Sequence, residues 1–238
     1  MKIITVNNKQ ELNELTGEML IGLMLSKQNR INIAITAGST PKGVYSYMAP
    51  RIRNNDAFNN VHYYNFDEIP STDSNFIGIT MRDLEDMYLN PAQIATSRFH
   101  HLNGDNYKEQ DEKIKSIGGL DAILLGIGKD SHYCGNLPGT TKFEDETVKV
   151  NAKGELKKKI SGHFENQSLV PDYWITMGPR SIMAAKKLIL IATGSEKAEA
   201  IWHLVKGPVD NQYPASILKL HPDLTVIADK KAMKEVNK

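Results

Sequence analysis

Apolar residues recur along this chain in two alternating rhythms. Over residues 11–27 they fall at helical spacing, with Leu12, Leu15, Met19, Leu20, Leu23 and Met24 on one side, which predicts an amphipathic helix. A β-branched run at 31–35 reads as a strand, followed by Gly-Ser-Thr-Pro and a second helical pattern over 42–53. Residues 61–66 are strand-like and end at Asp67-Glu68, and helical patterns follow at 79–88 and 105–117. The run at 121–127 is too short for an ordinary helix and shows no polar alternation, so it predicts a parallel strand buried on both faces. Strands at 173–177 and 188–192 are each followed by a helical stretch, at 180–187 and 196–206. A short helix at 215–220 and a strand at 224–227 close the pattern.

This alternation predicts an α/β fold, with a mostly parallel sheet and helices on both faces. No internal repeat, Gly/Ser linker or low-complexity tract interrupts it, so residues 1–238 are expected to form one domain. The least regular part, residues 140–171, is rich in Lys, Glu, Gly and Asn. Such a stretch is either a lid or binding loop, or a solvated excursion with a short hairpin.

Charge narrows the partners. With 29 Lys and Arg against 28 Asp and Glu, the formal net charge is +1, so no global field draws in nucleic acid or an anionic membrane. An anionic ligand must be held by a local pocket. The single cysteine, Cys134, excludes an intramolecular disulfide and points to a reducing, cytoplasmic setting. The opening MKIITVNNKQEL has too short an apolar stretch for a signal peptide, and no later run is long enough to span a bilayer.

In open α/β sheets ligands sit beyond the carboxyl ends of the strands, and four such ends carry chemistry here. Thr36-Ala37-Gly38-Ser39-Thr40-Pro41 links a strand to a helix. Gly38 permits close backbone approach, Ser39 or Thr40 can cap the helix, and Pro41 suits its first turn, leaving free N–H groups for a phosphate. The bland alternative is a cap alone. Thr193-Gly194-Ser195-Glu196-Lys197 repeats the arrangement, with Lys197 set against the helix dipole unless it binds an anion. Arg180 and Lys186 lie on the preceding predicted helix, where a solvated charge is the commoner role. Asp67 and Glu68 point to opposite faces if they continue a strand, so one of them enters a site; a turn or helix cap is the alternative. Asp130 and His132, in GIGKDSHYCGNLPG, can form an oriented acid–base pair. His132 has no ligand partner at helical spacing and His100-His101 stands apart, so no metal is expected. Cys134 is read as a small buried side chain rather than a nucleophile. Neither GxGxxG nor GxxxxGK[ST] occurs in these loops, and no cofactor is expected.

Five segments in order, TAGSTP, NFDEIP, GIGKDSHYCGNLPG, MGPRSIMAAKKLILIATGSEKA and PASILKLHP, resemble the glucosamine-6-phosphate deaminase and 6-phosphogluconolactonase family over nearly the whole chain. The resemblance implies a Rossmann-like, ribose-isomerase-like fold and a sugar 6-phosphate ligand. On the deaminase pattern Asp67 removes the C2 proton of the open-chain sugar. His132 opens the ring, assisted by Asp130 and by a glutamate at the position of Leu137, which cannot ionise. The pattern's phosphate lysine falls on Lys197, and an arginine that helps bind phosphate falls on Lys186. Ser131 stands where the family usually has glycine; a positive φ there would strain serine by roughly 1–2 kcal/mol. The lactonase branch also lacks the glutamate, which suits Leu137, but it commonly has arginine where this chain has Ile69. Three functions are therefore expected in order: aldose–ketose isomerisation with deamination of an aminohexose 6-phosphate, hydrolysis of 6-phosphogluconolactone, and non-catalytic sensing of a sugar phosphate. Deaminase relatives are often oligomers and lactonases often monomers, so a homo-oligomer is one expectation.

Overall fold

A computed structural model describes residues 1–26, 29–73 and 76–238. In chain order its elements are β1 (Lys2–Val6), α1 (Lys9–Met24), β2 (Ile31–Ile35), α2 (Lys42–Ile52), β3 (Val61–Asn65), β4 (Asp67–Glu68), α3 (Ile79–Leu84), β5 (Phe99–His100) and α4 (Gln110–Ser116). There follow β6 (Ala122–Gly126), β7 (Val148–Asn151), α5 (Gly154–Ser161), β8 (Tyr173–Thr176), α6 (Pro179–Met183), β9 (Leu188–Ala192), α7 (Ala198–Val205) and β10 (Leu224–Asp229).

The described residues build a seven-stranded sheet in the order β1-β10-β9-β6-β2-β3-β5, with every neighbouring pair parallel. Its central strands are apolar almost end to end because both faces are covered: every residue of β2, β9 and β10 is buried. On one face α1 and α2 pack over a core containing stacked Tyr45 and Tyr88, with ring centroids 4.9 Å apart. On the other face Ile123, Leu125 and Leu190 meet Ile182 of α6 and Ile201 and Leu204 of α7. Helices thus cover both faces, as the apolar pattern predicts. α1 begins where Asn8 accepts from the Glu11 N–H at 3.0 Å while the Glu11 carboxylate accepts from the Asn7 N–H at 2.8 Å, a reciprocal arrangement that closes the first turn.

From β2 the chain runs outward through β3 and β5, then returns to β6 on the other side of β2 and continues to β9 and β10. The strand order therefore reverses between β2 and β6, where an open α/β sheet leaves a crevice at its carboxyl edge.

Several expectations need correction. The strand at 173–177 does not join the parallel sheet: β8 pairs antiparallel with both β4 and β7 in a separate three-stranded sheet. Asp67 and Glu68 leave β3 and form β4 of that sheet. The helical patterns at 105–117 and 180–187 shorten to α4 and α6, and 79–88 becomes α3 followed by one π-helical turn, Glu85–Leu89. The predicted first helix ends at Met24, and its expected last residue, Lys27, lies outside the described residues. Residues 140–171 hold a strand and a helix, β7 and α5. The pattern overlooks β1, a half-exposed edge strand, and β5, only two residues long.

Candidate active site

A cavity of about 280 Å³ opens at the carboxyl edge of the sheet. The loop after β2 (Gly38, Ser39, Thr40), Asp67 of β4, His132 from the loop after β6 and Lys197 after β9 all line it. The second sheet and α5 close its far wall with Trp174 and Lys159.

Asp67 and Glu68 separate because consecutive strand residues face opposite ways. Asp67 opposes Thr176 and faces the cavity. Its carboxyl is pushed up to about 7, first by burial and then by Glu68, with Lys159 opposing. Glu68 turns away and accepts from the N–H groups of Thr80 (2.8 Å) and Met81 (3.0 Å), which open α3, and it lies 3.1 Å from His101 Nε2. It therefore serves as the cap of α3. Gly78, at φ +108°, is required beside it, since a Cβ there would collide with the Glu68 carboxyl.

The loop after β6 presents the acid–base pair. His132 Nδ1 and Asp130 Oδ1 form a short hydrogen bond, which holds the Asp130 carboxyl well below the usual carboxylate range. The Gly128 N–H donates to the His132 carbonyl at 2.7 Å, and a Cβ on Gly128 would strike the imidazole. Ser131 does take positive φ (68°), as does Cys134 (52°). The Gly135 N–H donates to Thr176 Oγ1 and Asn136 Nδ2 donates to the Met177 carbonyl, both at 2.9 Å, so the loop is tied to the end of β8. The Cys134 thiol lines the cavity but is pushed far up by burial and by Asp67, which suits a packing side chain rather than a nucleophile.

Sequence reasoning missed Lys159. Its Nζ lies 3.2 Å from His132 Nε2 and 5.4 Å from the centroid of the Trp174 ring. The run Lys157-Lys158-Lys159 reads as a solvated face, and the one signal against that is the neighbouring Ile160, which is fully buried. Burial pulls the Lys159 ammonium down, with Asp130 and Asp67 opposing.

At the other wall, Gly38 adopts φ +113° and Pro41 is the N-terminal cap residue of α2, with no side-chain cap bond. Ser39 and Thr40 are thus not the cap that one reading expected. They line the cavity instead, beside the start of a helix. Gly194, at φ +94°, donates its N–H to Asp229 at 3.1 Å, and the turn Ser195–Lys197 follows. Burial lowers the Lys197 ammonium from its ordinary range.

Lys186 is not brought to the cavity. It precedes β9 and so lies at the amino edge of the parallel sheet, where its Nζ pairs with Asp121 at 2.9 Å just before β6. Arg180 pairs with Glu146 at 3.6 Å on the surface. Strand polarity separates Lys186 from a pocket at the opposite edge, and Arg180 is absent from the cavity lining. The side chain of Leu137 is likewise absent from the cavity lining. His100 stacks between Tyr64 and His62 away from the cavity, and among the described residues no three His, Cys, Asp or Glu side chains converge as a metal site. Nor is any helix of the described residues long and apolar enough to cross a membrane.

The chain matches the family model for glucosamine-6-phosphate isomerases/6-phosphogluconolactonase over residues 10–227. Similar curated proteins include glucosamine-6-phosphate deaminase of Oceanobacillus iheyensis, 32% identical over 251 residues that cover all of this chain and 97% of the relative. The deaminase of Clostridium botulinum (strain Alaska E43) is 34% identical over 244 residues, with the same coverage. Among solved structures, a monomeric glucosamine-6-phosphate deaminase is 26% identical, with a TM-score of 0.84 over 99% of this chain and 100% of that one. The 6-phosphogluconolactonase of Thermotoga maritima is 16% identical, with a TM-score of 0.73 over 96% and 99%, and shares the fold. With its Rossmann-like sheet and full-length relatives, the chain belongs to the glucosamine-6-phosphate isomerase/6-phosphogluconolactonase family.

Proposed function

We propose that this protein converts glucosamine 6-phosphate and water to fructose 6-phosphate and ammonia. The reading is carried by one cavity that holds a buried carboxylate, Asp67, and an Asp130–His132 pair. Full-length relatives named as deaminases support it. The phosphate is bound by the backbone around Gly38, Ser39 and Thr40 and by Lys197, where free N–H groups and a half-buried ammonium favour an anion. His132, with Asp130 on its Nδ1, moves the proton that opens the pyranose ring. The Asp67 carboxylate then takes the C2 proton and returns it at C1, a task suited to a base whose pKa lies near neutrality. The resulting C2 imine is hydrolysed, and ammonia leaves. Residues 140–171 contribute the wall over the sugar as part of the same domain.

Hydrolysis of 6-phosphogluconolactone is the second reading, and the uncharged Leu137 is what favours it. The two differ at C2. Incubation with glucosamine 6-phosphate in deuterated water, followed by proton NMR, is expected to give ammonium and a fructose 6-phosphate that carries solvent deuterium. Asp67→Asn should abolish exchange while phosphate binding persists; retained exchange would remove Asp67 from the role. Unchanged aminosugar together with lactone hydrolysis above the spontaneous rate would favour the second reading. Binding without turnover of either substrate would leave a sensor.

A further inference from the structure

His132 is held from both ring nitrogens. Asp130 meets Nδ1, and the Lys159 ammonium lies 3.2 Å from Nε2. The two partners make opposite demands. A carboxylate accepts, so it requires a proton on Nδ1. An ammonium has three N–H groups and no lone pair, so it can bond to Nε2 only when that nitrogen is unprotonated. Only the neutral ring with its proton on Nδ1 satisfies both. An imidazolium would set two cationic N–H groups head to head.

Leu137 makes the arrangement informative. It stands where the resemblance implies a glutamate, and a second carboxylate beside the ring would favour the doubly protonated form. Its side chain cannot accept from His132, and its carbonyl accepts from the Thr141 N–H and hydroxyl. The titratable groups that share the ring's surroundings are Asp130 and Cys134 on its own loop, Asp67 from β4, Asp83 of α3, Lys159 of α5, His163 just after it, and Lys197 beyond β9. Among them, Lys159 is the one that reaches Nε2 within hydrogen-bond distance. It is carried there by Ile160, whose side chain is buried with Phe164 and Trp174 in a small core under α5.

We infer that Lys159 is a positioning residue that takes the place of the missing glutamate and holds His132 as a neutral base, its Nε2 left unprotonated until a substrate hydroxyl displaces the ammonium from it. His132 then begins the reaction by accepting a proton from a sugar hydroxyl, not by donating one. An oxygen that reached Nε2 would also lie close to the ammonium, which would stabilise the negative charge left behind. The identity of that hydroxyl rests on the sugar-phosphate reading above; the state of the ring does not.

Nitrogen-15 imidazole spectra of the sugar-free protein near neutral pH test this, with the His132 signals identified by their loss in His132→Asn. The wild type is expected to show one protonated nitrogen on this ring, Nδ1. Lys159→Met should add a severalfold larger fraction with Nε2 protonated. Lys159→Arg should restore the wild-type pattern, since a guanidinium also only donates. A wild-type ring protonated on Nε2 overturns the inference, as does a spectrum unchanged in Lys159→Met. If Lys159→Met does not fold, the wild-type spectrum and Lys159→Ala, which also removes the donor, decide the matter by the same criteria. No sugar is present, so failure of the deaminase reading would appear as absent turnover and leave these spectra untouched.

Discussion

Asp67 carries a carboxylate where burial disfavours charge. Its folded pKa of about 7 stands above the ordinary 3.8, so between those values the native state holds the proton more tightly than the unfolded chain. Stability therefore falls as pH rises through that window, and the penalty is complete above it; three pH units correspond to something on the order of 4 kcal/mol. Asp67→Asn removes the ionisable group. Denaturant unfolding across a pH series should show this variant more stable than the wild type above pH ~7, with the difference gone below pH ~4. A difference that does not change with pH would contradict this account. Strand alternation makes it legible in the sequence that one of Asp67 and Glu68 enters the site, because the period of two is local. The alternative role, a helix cap, falls to Glu68, but which helix it caps was not legible, because Thr80 and Met81 reach it only through the turn at Gly78. Strain at Ser131 was anticipated for a positive φ, and its φ of 68° meets that condition.

The stretch 140–171 shows how an element can be hidden. β7 alternates half-buried and exposed residues, and α5 has eight residues, most of them polar. Neither is stable alone at such length. Their order comes from Ile160 and Phe164 packing with Ile69, Ile79 and Trp174, a core drawn from two distant parts of the sequence. Ile160→Ala should cost about 2–4 kcal/mol through the cavity it leaves. Because this core is small, hydrogen exchange should accelerate more in α5 than in β2. Equal acceleration in both would show that α5 opens only with the whole molecule. β8 departed from its predicted place for a related reason: an apolar run states that a strand is buried, not which sheet receives it.

At the scale of the whole molecule, the parallel sheet divides the chain into a reactive edge and a structural edge. Lys186 and Lys197 lie eleven positions apart on either side of β9, so the strand separates them by its full length. Lys197→Ala should raise KM for the sugar phosphate at least about tenfold, the loss of roughly 1.4 kcal/mol of anion binding. Lys186→Ala should leave KM unchanged and lower stability by no more than about 1 kcal/mol, because its pair with Asp121 is half exposed. An equal effect of the two on KM would refute the assignment of edges. The order of strands and helices, the parallel sheet, and the chemistry gathered at the ends of β2, β3, β6 and β9 could all be read from the residues. Apolar periodicity and turn composition are local properties, and a parallel sheet sends every strand end to the same edge. Folding alone settled that Asp67 is desolvated and that a lysine from a polar stretch meets His132. Each depends on contacts between residues far apart in sequence, whose energies arise only once the two sheets have packed.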